Sequence, residues 1–431
     1  MVFLVSPSSL KGSIRIPGNK SGTARGIVFG SLADGVTRIK NPLHNIDSFS
    51  IIKMFLALGA EIDTSNPVEW VIRGTGGMLR QPAEVLDAEN SGTGFYFALA
   101  CSSLIDGWTV LSGDYQICYR PAQPMLDAIT AMGGEAFSTR GNGCAPIAVK
   151  GKIRGGEFSM PGVNSQWMTP FLAACALAEG DTLIRESNLL ERPYVDMTIA
   201  MLARAGIRVE NRNYDEFFIP GGQNYAAFEY VIPADWGSAG YPLVAAAITP
   251  GSEVVFTGLD DKDFAGEKAY AEILKNMGAD IEVRDGGRSG ITVRGGRELK
   301  GVEIDCSGTP DAVPALAVLG TQASGKTVLY NIGACRLKET DRAKSIMAEL
   351  TKMGARLEET QDTLTIYRSR LKGAFIEGHH DHRIVMASSV AALVAEGPSV
   401  VTDAEYVGVS FPGFYESMAA LGAGIRRLKD E

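Results

Sequence analysis

The sequence has few cysteines and histidines and no long apolar run. Its six cysteines, at positions 101, 118, 144, 175, 306 and 335, include no Cys-x-x-Cys pair, and only four histidines are present. This spacing argues against a disulfide framework and predicts reduced core thiols. No stretch reaches the ~18 apolar residues of a membrane helix, and the apolar start of the chain is too short for a signal peptide. We therefore expect a cytoplasmic protein.

Basic residues are not in excess either. The chain has 41 lysines and arginines against 50 aspartates and glutamates, a net charge of −9 over 431 residues. General nucleic-acid and anionic-membrane binders need a cationic surface, so both classes are disfavoured. The hydrophobic fraction of 45% and the charged fraction of 21% are typical of a folded chain with two or three domains. An anionic ligand must be met by a local cluster of cations.

Two series of glycines divide the chain into six units. One series follows amphipathic helical runs, at 59, 133, 206, 278, 354 and 422, and the other follows Ala-rich helical runs, at 35, 107, 180, 251, 325 and 397. Both repeat about every 72 residues. Each glycine stands where a helix end needs a left-handed residue before a strand. We predict six α/β units, three in each of two domains, with buried Ala-rich helices.

A polar turn precedes each Ala-rich helix, and we expect the chemistry there. The turns are residues 17–25, 90–93, 164–166, 235–238, 307–311 and 379–383. Helix N-termini present unpaired N–H groups and the positive end of the helix dipole, so a group of them attracts an anion. The densest polar stretch, Arg336–Arg342, has two interpretations. It is either a solvated turn that caps the next helix at Thr340 or Asp341, or an anion site with its own acid/base group.

Familiar motifs are absent or out of place. Gly320–Thr327 matches G-x-x-x-x-G-K-T, but a helical run precedes it and a strand follows, the reverse of a phosphate-binding loop. The three histidines of His379–His382 cannot all face one metal ion from a regular element. We interpret Asp381 there as a helix cap and Arg383 as an anion ligand. No dinucleotide fingerprint opens a helix, and no Gly-x-Ser-x-Gly or His-Glu-x-x-His motif is present.

The turns, taken in order, resemble the EPSP synthase family of enolpyruvyl transferases. The motifs that carry the resemblance are Lys-Ser with an arginine at 25 (20–25), Asn-Ser-Gly-Thr (90–93), Arg-Pro (120–121), Ser-Gln (165–166), Arg-Pro-Tyr-Val-Asp-Met (192–197), Pro-Asp-Ala (310–312), Lys-Glu-Thr-Asp-Arg (338–342), Asp-His-Arg (381–383) and Ser-Phe-Pro-Gly-Phe (410–414). The resemblance implies a two-domain inside-out α/β barrel with helix N-termini facing a cleft. We expect residues 14–232 in one domain and residues 1–13 plus 233–431 in the other.

The resemblance also implies the activity and the site. The family moves the enolpyruvyl group of phosphoenolpyruvate to a hydroxyl of 3-phosphoshikimate and releases phosphate, a step of the shikimate pathway to aromatic amino acids, with no metal or organic cofactor. The implied catalytic residues are Lys20, Asp311 as the base and Glu339 as the acid/base. The implied phosphoenolpyruvate ligands are Lys20, Gly92, Arg120, Gln166, Arg342 and Arg383. The implied acceptor ligands are Ser21, Arg25, Ser165, Gln166, Tyr194, Asp311 and Lys338. We expect a monomer whose partners are these small molecules.

Five positions depart from the family pattern. Val409 replaces a lysine, Tyr96 an arginine, Asn164 and Glu191 each a serine on the acceptor side, and Ala334 an asparagine. A carboxylate at 191 near an acceptor phosphate costs free energy in a low-dielectric site. Two alternatives therefore stay open. One is a diverged paralogue that uses a non-phosphorylated, shikimate-like acceptor or catalyses an elimination, and the other is a non-catalytic ligand-binding relative.

Overall fold

The computed structural model describes residues 1–428, which contain twelve α-helices and seven short 3-10 helices. The α-helices are α1 (Lys20–Leu32), α2 (Ile46–Ala57), α3 (Gly92–Ser102), α4 (Gln123–Ala131), α5 (Ser165–Ala174), α6 (Arg192–Arg204), α7 (Trp236–Ile248), α8 (Ala269–Asn276), α9 (Val313–Thr321), α10 (Arg342–Lys352), α11 (His382–Ala392) and α12 (Phe414–Ala420). The 3-10 helices are Ile117–Tyr119, Cys175–Leu177, Gly266–Lys268, Asp285–Gly287, Pro310–Ala312, Gly333–Leu337 and Ala404–Val409. None of the helices within residues 1–428 combines the length and apolar character needed to cross a bilayer.

The same residues contain twenty-six strands. They are β1 (Val2–Ser6), β2 (Lys11–Arg15), β3 (Val36–Lys40), β4 (Glu61–Asp63), β5 (Glu69–Arg73), β6 (Leu86–Asp87), β7 (Trp108–Ser112), β8 (Glu135–Ser138), β9 (Ile147–Lys150), β10 (Gly156–Pro161), β11 (Thr182–Ser187), β12 (Glu210–Arg212), β13 (Glu216–Ile219), β14 (Glu229–Val231), β15 (Glu253–Thr257), β16 (Asp280–Val283), β17 (Ile291–Arg294), β18 (Leu299–Lys300), β19 (Glu303–Asp305), β20 (Ala323–Ser324), β21 (Lys326–Tyr330), β22 (Arg356–Glu359), β23 (Thr363–Tyr367), β24 (Phe375–Ile376), β25 (Ser399–Val401) and β26 (Gly424–Leu428).

The chain divides into two compact units. The N-terminal unit is Gly18–Ile232, and the C-terminal unit combines Met1–Pro17 with the chain from Pro233 onward. The sequence prediction began the first of these domains at residue 14. In the structure β2 pairs in parallel with β15, with Ile14 opposite Phe256, so residues 14–17 lie in the C-terminal unit. Each unit has its own apolar core.

Six four-stranded sheets within residues 1–428 share one pattern, a parallel pair at one edge followed by two antiparallel pairs. In the N-terminal unit the orders are β14-β3-β5-β4, β6-β7-β9-β8 and β10-β11-β13-β12. In the C-terminal unit they are β24-β25-β1-β26, β16-β17-β15-β2 and β19-β21-β23-β22, and a short pair joins β18 to β20. The sequence repeat of about 72 residues stays a prediction from the glycine spacing.

The Ala-rich helices lie in the cores. Every residue of α7, α9 and α11 is buried, and α1, α3 and α5 are buried along most of their length. These helices have no charged face to present to water, so packing on all sides is their stable arrangement. Five of the six have a side-chain cap, from Asn19, Ser91, Asn164, Asp235 and Asp381, whereas α9 has none. The predicted burial of the Ala-rich helices and the predicted cap at Asp381 are confirmed.

The glycine prediction is confirmed for one series and corrected for part of the other. All six glycines after the amphipathic helices have positive φ, from 78° to 108°. In the other series Gly35, Gly251, Gly325 and Gly397 do as well, but Gly107 and Gly180 do not. At Gly180 a Cβ would lie 2.7 Å from Arg154 O. Close backbone approach, rather than a left-handed conformation, requires glycine there.

The Walker-type string lies in the predicted context. Helix α9 ends at Thr321 within it, Gly325 is a turn residue, and Lys326 opens β21. Its backbone N–H groups therefore belong to a helix end and a sheet rather than to a phosphate-binding loop that opens a helix.

Candidate active site

Arg342 is the centre of a buried ion cluster in the C-terminal unit. It opens α10, and 1% of its side chain is exposed. Nε donates to Asp381 Oδ2 at 2.8 Å and Nη1 to Asp311 Oδ1 at 2.6 Å, while Nη2 pairs with Glu339. Burial alone lowers the pKa of Arg342, but Asp381, Glu339 and Asp311 outweigh burial and raise it above its usual range. Three carboxylates thus fix the orientation of one guanidinium.

Asp311 lies between two guanidiniums. Nη2 of Arg383, the second residue of α11, donates to Asp311 Oδ2 at 2.7 Å, and Arg342 holds Oδ1. Burial raises the pKa of Asp311, but Arg383, Arg342 and Lys338 together lower it far below its usual range. Nη1 of Arg383 also reaches Gly237 O, on the first turn of α7, at 3.4 Å. An anion that drew either arginine away would raise the pKa of Asp311 and make it a stronger base.

The stretch 336–342 contains both a helix cap and part of the buried ion cluster. Nη1 of Arg336 donates to both carboxylate oxygens of Asp341 at 2.9 Å, and Asp341 caps α10. The cap interpretation therefore holds for Asp341. Thr340 is not the cap, because its hydroxyl donates to Asp381 Oδ2 at 3.1 Å. Arg342, the last residue of the stretch, is the centre of the buried ion cluster.

The three histidines of residues 379–382 each contact a different carboxylate. The contacts are His379 Nε2 to Glu349 Oε1 at 2.8 Å, His380 Nε2 to Asp403 Oδ1 at 3.5 Å and His382 Nδ1 to Asp381 Oδ1 at 3.7 Å. They therefore do not face a common centre. The interpretation of this stretch as a helix N-terminus, with Asp381 accepting from Arg383 N at 2.9 Å, agrees with the geometry.

Lys20 and Arg25 lie on α1 of the N-terminal unit. Lys20 Nζ is 3.3 Å from Asp47 Oδ2, and 16% of the lysine side chain is exposed. Arg25 is buried, with Nε donating to Thr198 Oγ1 at 2.8 Å and Nη1 to Ser21 O at 3.1 Å. Burial lowers the pKa of Arg25 to about 10, and Tyr194 is the largest opposing influence. Arg25 therefore stays charged at neutral pH and ties α1 to α6.

Gly92 lets Arg120 come close to the start of α3. A Cβ at residue 92 would lie 1.8 Å from Arg120 Nη1. Arg120 follows the 3-10 helix Ile117–Tyr119 and is 7% exposed. Gln166 Nε2 donates to Thr93 Oγ1 at 3.0 Å, which joins the first turns of α5 and α3. The N-terminal unit thus brings a cation, an amide and two helix starts together.

Glu191 contacts the start of α5 at Ser165, one of the predicted acceptor ligands. Glu191 is 1% exposed and has a left-handed φ of 57°. Its Oε2 accepts from Ser165 N at 2.9 Å and from Ser165 Oγ at 2.8 Å. Asn164, another departure from the family pattern, caps α5 by accepting from Gln166 N at 3.1 Å. The Glu191 carboxylate therefore occupies two hydrogen-bond donors at the start of α5.

The other three departures from the family pattern are buried residues with structural roles. The Tyr96 hydroxyl donates to Pro121 O at 3.0 Å, which supports the segment after Arg120. Ala334 is 2% and Val409 is 3% exposed. None of these three side chains adds a charge to the clusters.

Sequence reasoning missed several partners of the site residues. Asp47 pairs with Lys20, Thr93 holds Gln166, and Asp381 holds Arg342 in addition to capping α11. Glu267 also lies in the C-terminal cluster, as described below. Asp47 follows a capping asparagine on α2, and this acidic first turn was the available signal. Glu267 had none, because its segment carries no motif.

Solved structures of known proteins share this fold. An EPSP synthase from Acinetobacter baumannii, solved at 2.37 Å, superposes with a TM-score of 0.83 at 30% identity, covering 99% of both chains. A second structure of EPSP synthase from the same organism covers 100% of both chains with the same TM-score at 29% identity. The predicted two-domain α/β fold is confirmed.

The family follows from sequence similarity. The profile described as EPSP synthase (3-phosphoshikimate 1-carboxyvinyltransferase) matches residues 4–418. A 3-phosphoshikimate 1-carboxyvinyltransferase of Ruminiclostridium cellulolyticum is 42% identical over 99% of this chain and 100% of its own. That of Acetivibrio thermocellus is 43% identical over 99% of both chains, and that of Methanosarcina acetivorans is 41% identical over 99% of both. The chain belongs to the EPSP synthase family of transferases, as its motifs predicted.

Proposed function

We propose that this chain transfers the enolpyruvyl group of phosphoenolpyruvate to a hydroxyl of 3-phosphoshikimate and releases phosphate. The named activity of relatives above 40% identity supports the proposal. The structural observation that carries it is the buried pair Arg342 and Arg383, bridged by Asp311. Two guanidinium forks suit a ligand that carries both a phosphate and a carboxylate. The carboxylates beside them provide groups for proton transfer.

The reaction is an addition followed by an elimination. The acceptor oxygen bonds to C2 of phosphoenolpyruvate, its proton leaves to a base, and C3 gains a proton, which gives a tetrahedral ketal. Loss of phosphate from C2 and of a proton from C3 then restores the double bond. These steps need a base at the hydroxyl, an acid at C3 and cations around the anionic groups. Side chains alone can supply all three.

The C-terminal unit would supply the proton transfers. Arg342 and Arg383 hold phosphoenolpyruvate and so loosen their hold on Asp311. The pKa of Asp311, which the arginines depress in the free protein, then rises, and Asp311 accepts the proton of the acceptor hydroxyl. Glu339, which also pairs with Arg342, exchanges the proton at C3. Lys338 binds the acceptor.

The N-terminal unit would supply further ligands for both substrates. Its phosphoenolpyruvate ligands are Lys20, Arg120, Gln166 and the backbone at Gly92, and Lys20 is also a catalytic residue. Its acceptor ligands are Ser21, Arg25, Ser165, Gln166 and Tyr194. The close fit of Arg120 to Gly92 and the bond between Gln166 and Thr93 support the phosphoenolpyruvate assignment. The buried position of Arg25 against Ser21 and Tyr194 supports the acceptor assignment.

One observation favours a second acceptor class. Glu191 accepts from the N–H and the hydroxyl of Ser165, donors that an acceptor phosphate would otherwise use. A shikimate-like acceptor without a phosphate would leave this carboxylate in place at no cost. The relatives give no support to this alternative. Measuring which acceptor the protein prefers distinguishes the two possibilities.

The decisive experiment measures phosphate release from phosphoenolpyruvate with two acceptors, 3-phosphoshikimate and shikimate. The proposal predicts release with 3-phosphoshikimate and a loss of about 10² to 10⁴ in kcat for Asp311→Asn. Glu191→Ser should lower KM for 3-phosphoshikimate about tenfold or more, because it removes the negative charge that competes with the phosphate for the donors of Ser165. Glu191→Gln is the matched control, because it removes the charge of Glu191 but keeps the size of the side chain. Release with shikimate alone would favour the second class, and no release with either acceptor would favour a binding protein.

We also propose that the enzyme is a cytoplasmic monomer. Four of its cysteines, at 101, 175, 306 and 335, are thiols buried in the cores, which suits a reducing compartment. Light scattering during gel filtration should give the mass of one chain. A mass of two chains at micromolar protein would contradict the monomer.

A further inference from the structure

Glu267 is a buried carboxyl group beside the arginine cluster that the proposed reaction does not use. It lies in the 3-10 helix Gly266–Lys268 and is 1% exposed. The next helix, α8, packs its Tyr270 against two neighbours. The Tyr270 hydroxyl reaches Ala312 O at 3.4 Å, and its ring lies 2.1 Å from where a Cβ of Gly240 would be. The Glu267 segment is therefore held between α7 and the 3-10 helix that carries Asp311.

Charged groups face Glu267 from each neighbouring element. Asp311 comes from the 3-10 helix before α9, Arg383 from α11 and Asp235 from the start of α7, and Tyr270 follows on α8. Burial raises the pKa of Glu267 to about 8, Asp311 and Asp235 add to the rise, and Arg383 opposes it. On the same segment Lys268 Nζ donates to Asp263 O at 2.8 Å.

The charges already present in the cluster also favour a protonated Glu267. Arg342, Arg383 and Lys338 are the cations of this cluster, and Asp311, Glu339, Asp381 and Asp235 are already its carboxylates. One further negative charge would compete directly with an anionic ligand for Arg383. Asp311 keeps its charge because two guanidiniums contact it, and burial favours the protonated form of Glu267.

We propose that Glu267 is a positioning residue, which holds Arg383 and Asp311 ready for phosphoenolpyruvate by remaining protonated and weakens phosphoenolpyruvate binding when it ionises. This inference rests on the proposed function. It assigns to Glu267 the alkaline limit of substrate binding, a role that no motif in the sequence indicates.

The expected effect follows from the ionised fraction. If only the protonated form binds, the apparent dissociation constant grows by a factor of 1 + 10^(pH − pKa). With a pKa of about 8, this factor is about 1 at pH 7 and about 11 at pH 9. KM for phosphoenolpyruvate should therefore rise about tenfold between these pH values in the wild type.

The test compares the ratio of KM at pH 9 to KM at pH 7 within each variant, so that absolute activity does not matter. Glu267→Gln and Glu267→Ala should lower the ratio from about ten to about one or two. Asp263→Asn is the matched control, since this buried carboxyl on the same segment is influenced by Asp235 and Lys268 rather than by Arg383, and it should keep the wild-type ratio. A tenfold ratio retained in both Glu267 variants overturns the proposal.

A second measurement needs only the wild type. Calorimetry of phosphoenolpyruvate binding at pH 8.5, in two buffers of different ionisation enthalpy, should reveal uptake of about 0.8 proton per site. Binding without proton uptake overturns the role of Glu267 even if turnover is normal. Absence of phosphate release with either acceptor overturns the proposed function, while this calorimetric result still decides the inference.

Discussion

Glu186 should make the stability of the N-terminal unit depend on pH. It lies on β11, one residue before the end of the parallel pairing with β10, and is 8% exposed. The corresponding positions of four other sheets hold Ile39, Leu111, Phe256 and Leu329, all fully buried. Within residues 1–428 no side chain donates to either carboxylate oxygen of Glu186, and only the backbone N–H of Ser187 acts against the rise of its pKa. An ionisable group thus occupies an apolar core position.

The magnitude follows from the pKa. Burial raises the pKa of Glu186 from 4.5 to about 8. Because the folded state holds the proton more tightly, the group's stabilising contribution is complete below pH 4.5 and is lost as pH rises toward 8. At pH 7 the loss is about 2.5 pH units times 1.36 kcal/mol, or about 3 kcal/mol. For a unit of this size that corresponds to about 6–12 °C in unfolding midpoint.

The assay is thermal unfolding at pH 5, 6, 7 and 8. Glu186→Gln and Glu186→Leu should unfold at progressively higher temperature than the wild type as pH rises, with Leu at least as stable as Gln, since the equivalent positions are apolar. Glu179→Gln removes an exposed carboxylate of the same unit and should run parallel to the wild type. If the difference in unfolding temperature between the Glu186 variants and the wild type is the same at every pH, the reasoning is refuted.

Two further substitutions test the clusters. Asp381→Asn removes the charge that both caps α11 and holds Arg342. The free energy of unfolding of the C-terminal unit should therefore fall by about 3–5 kcal/mol. An unchanged unfolding midpoint in calorimetry would contradict a buried ion pair there. Gly92→Ala places a methyl group 1.8 Å from Arg120 Nη1, so Arg120 must move. KM for phosphoenolpyruvate should then rise about tenfold, about 1.4 kcal/mol of binding, with little change in KM for the acceptor. An equal rise in both KM values would place Arg120 elsewhere in the mechanism.

The sequence predicted the parts of this fold that depend on local patterns. Ala-rich runs without a charged face had to be buried, and the polar residues before them, such as Asp381, had to cap them. The motifs also identified Arg342, Asp311 and Arg383, which the structure brings into contact.

Other features depended on tertiary neighbours that no local pattern specifies. Glu191 could be recognised as a departure, but its bonds to Ser165 follow from a left-handed turn between β11 and α6. Gly180 resembles the turn glycines around it and is required for a different reason, its close approach to Arg154. Glu267 enters the cluster only because α7 and α11 fold beside it.

The strand order of the C-terminal unit bears on how the chain is synthesised. The middle of its last sheet is β1, bonded on one side to β25 and on the other to β26, and β2 forms the edge of another of its sheets. On the ribosome β2 therefore stays unpaired until β15 has emerged, and β1 until β25 and β26 have, while residues 18–232 can close their own core earlier. The unit that carries Asp311 and Arg342 is completed last, when β25 and β26 pair with β1.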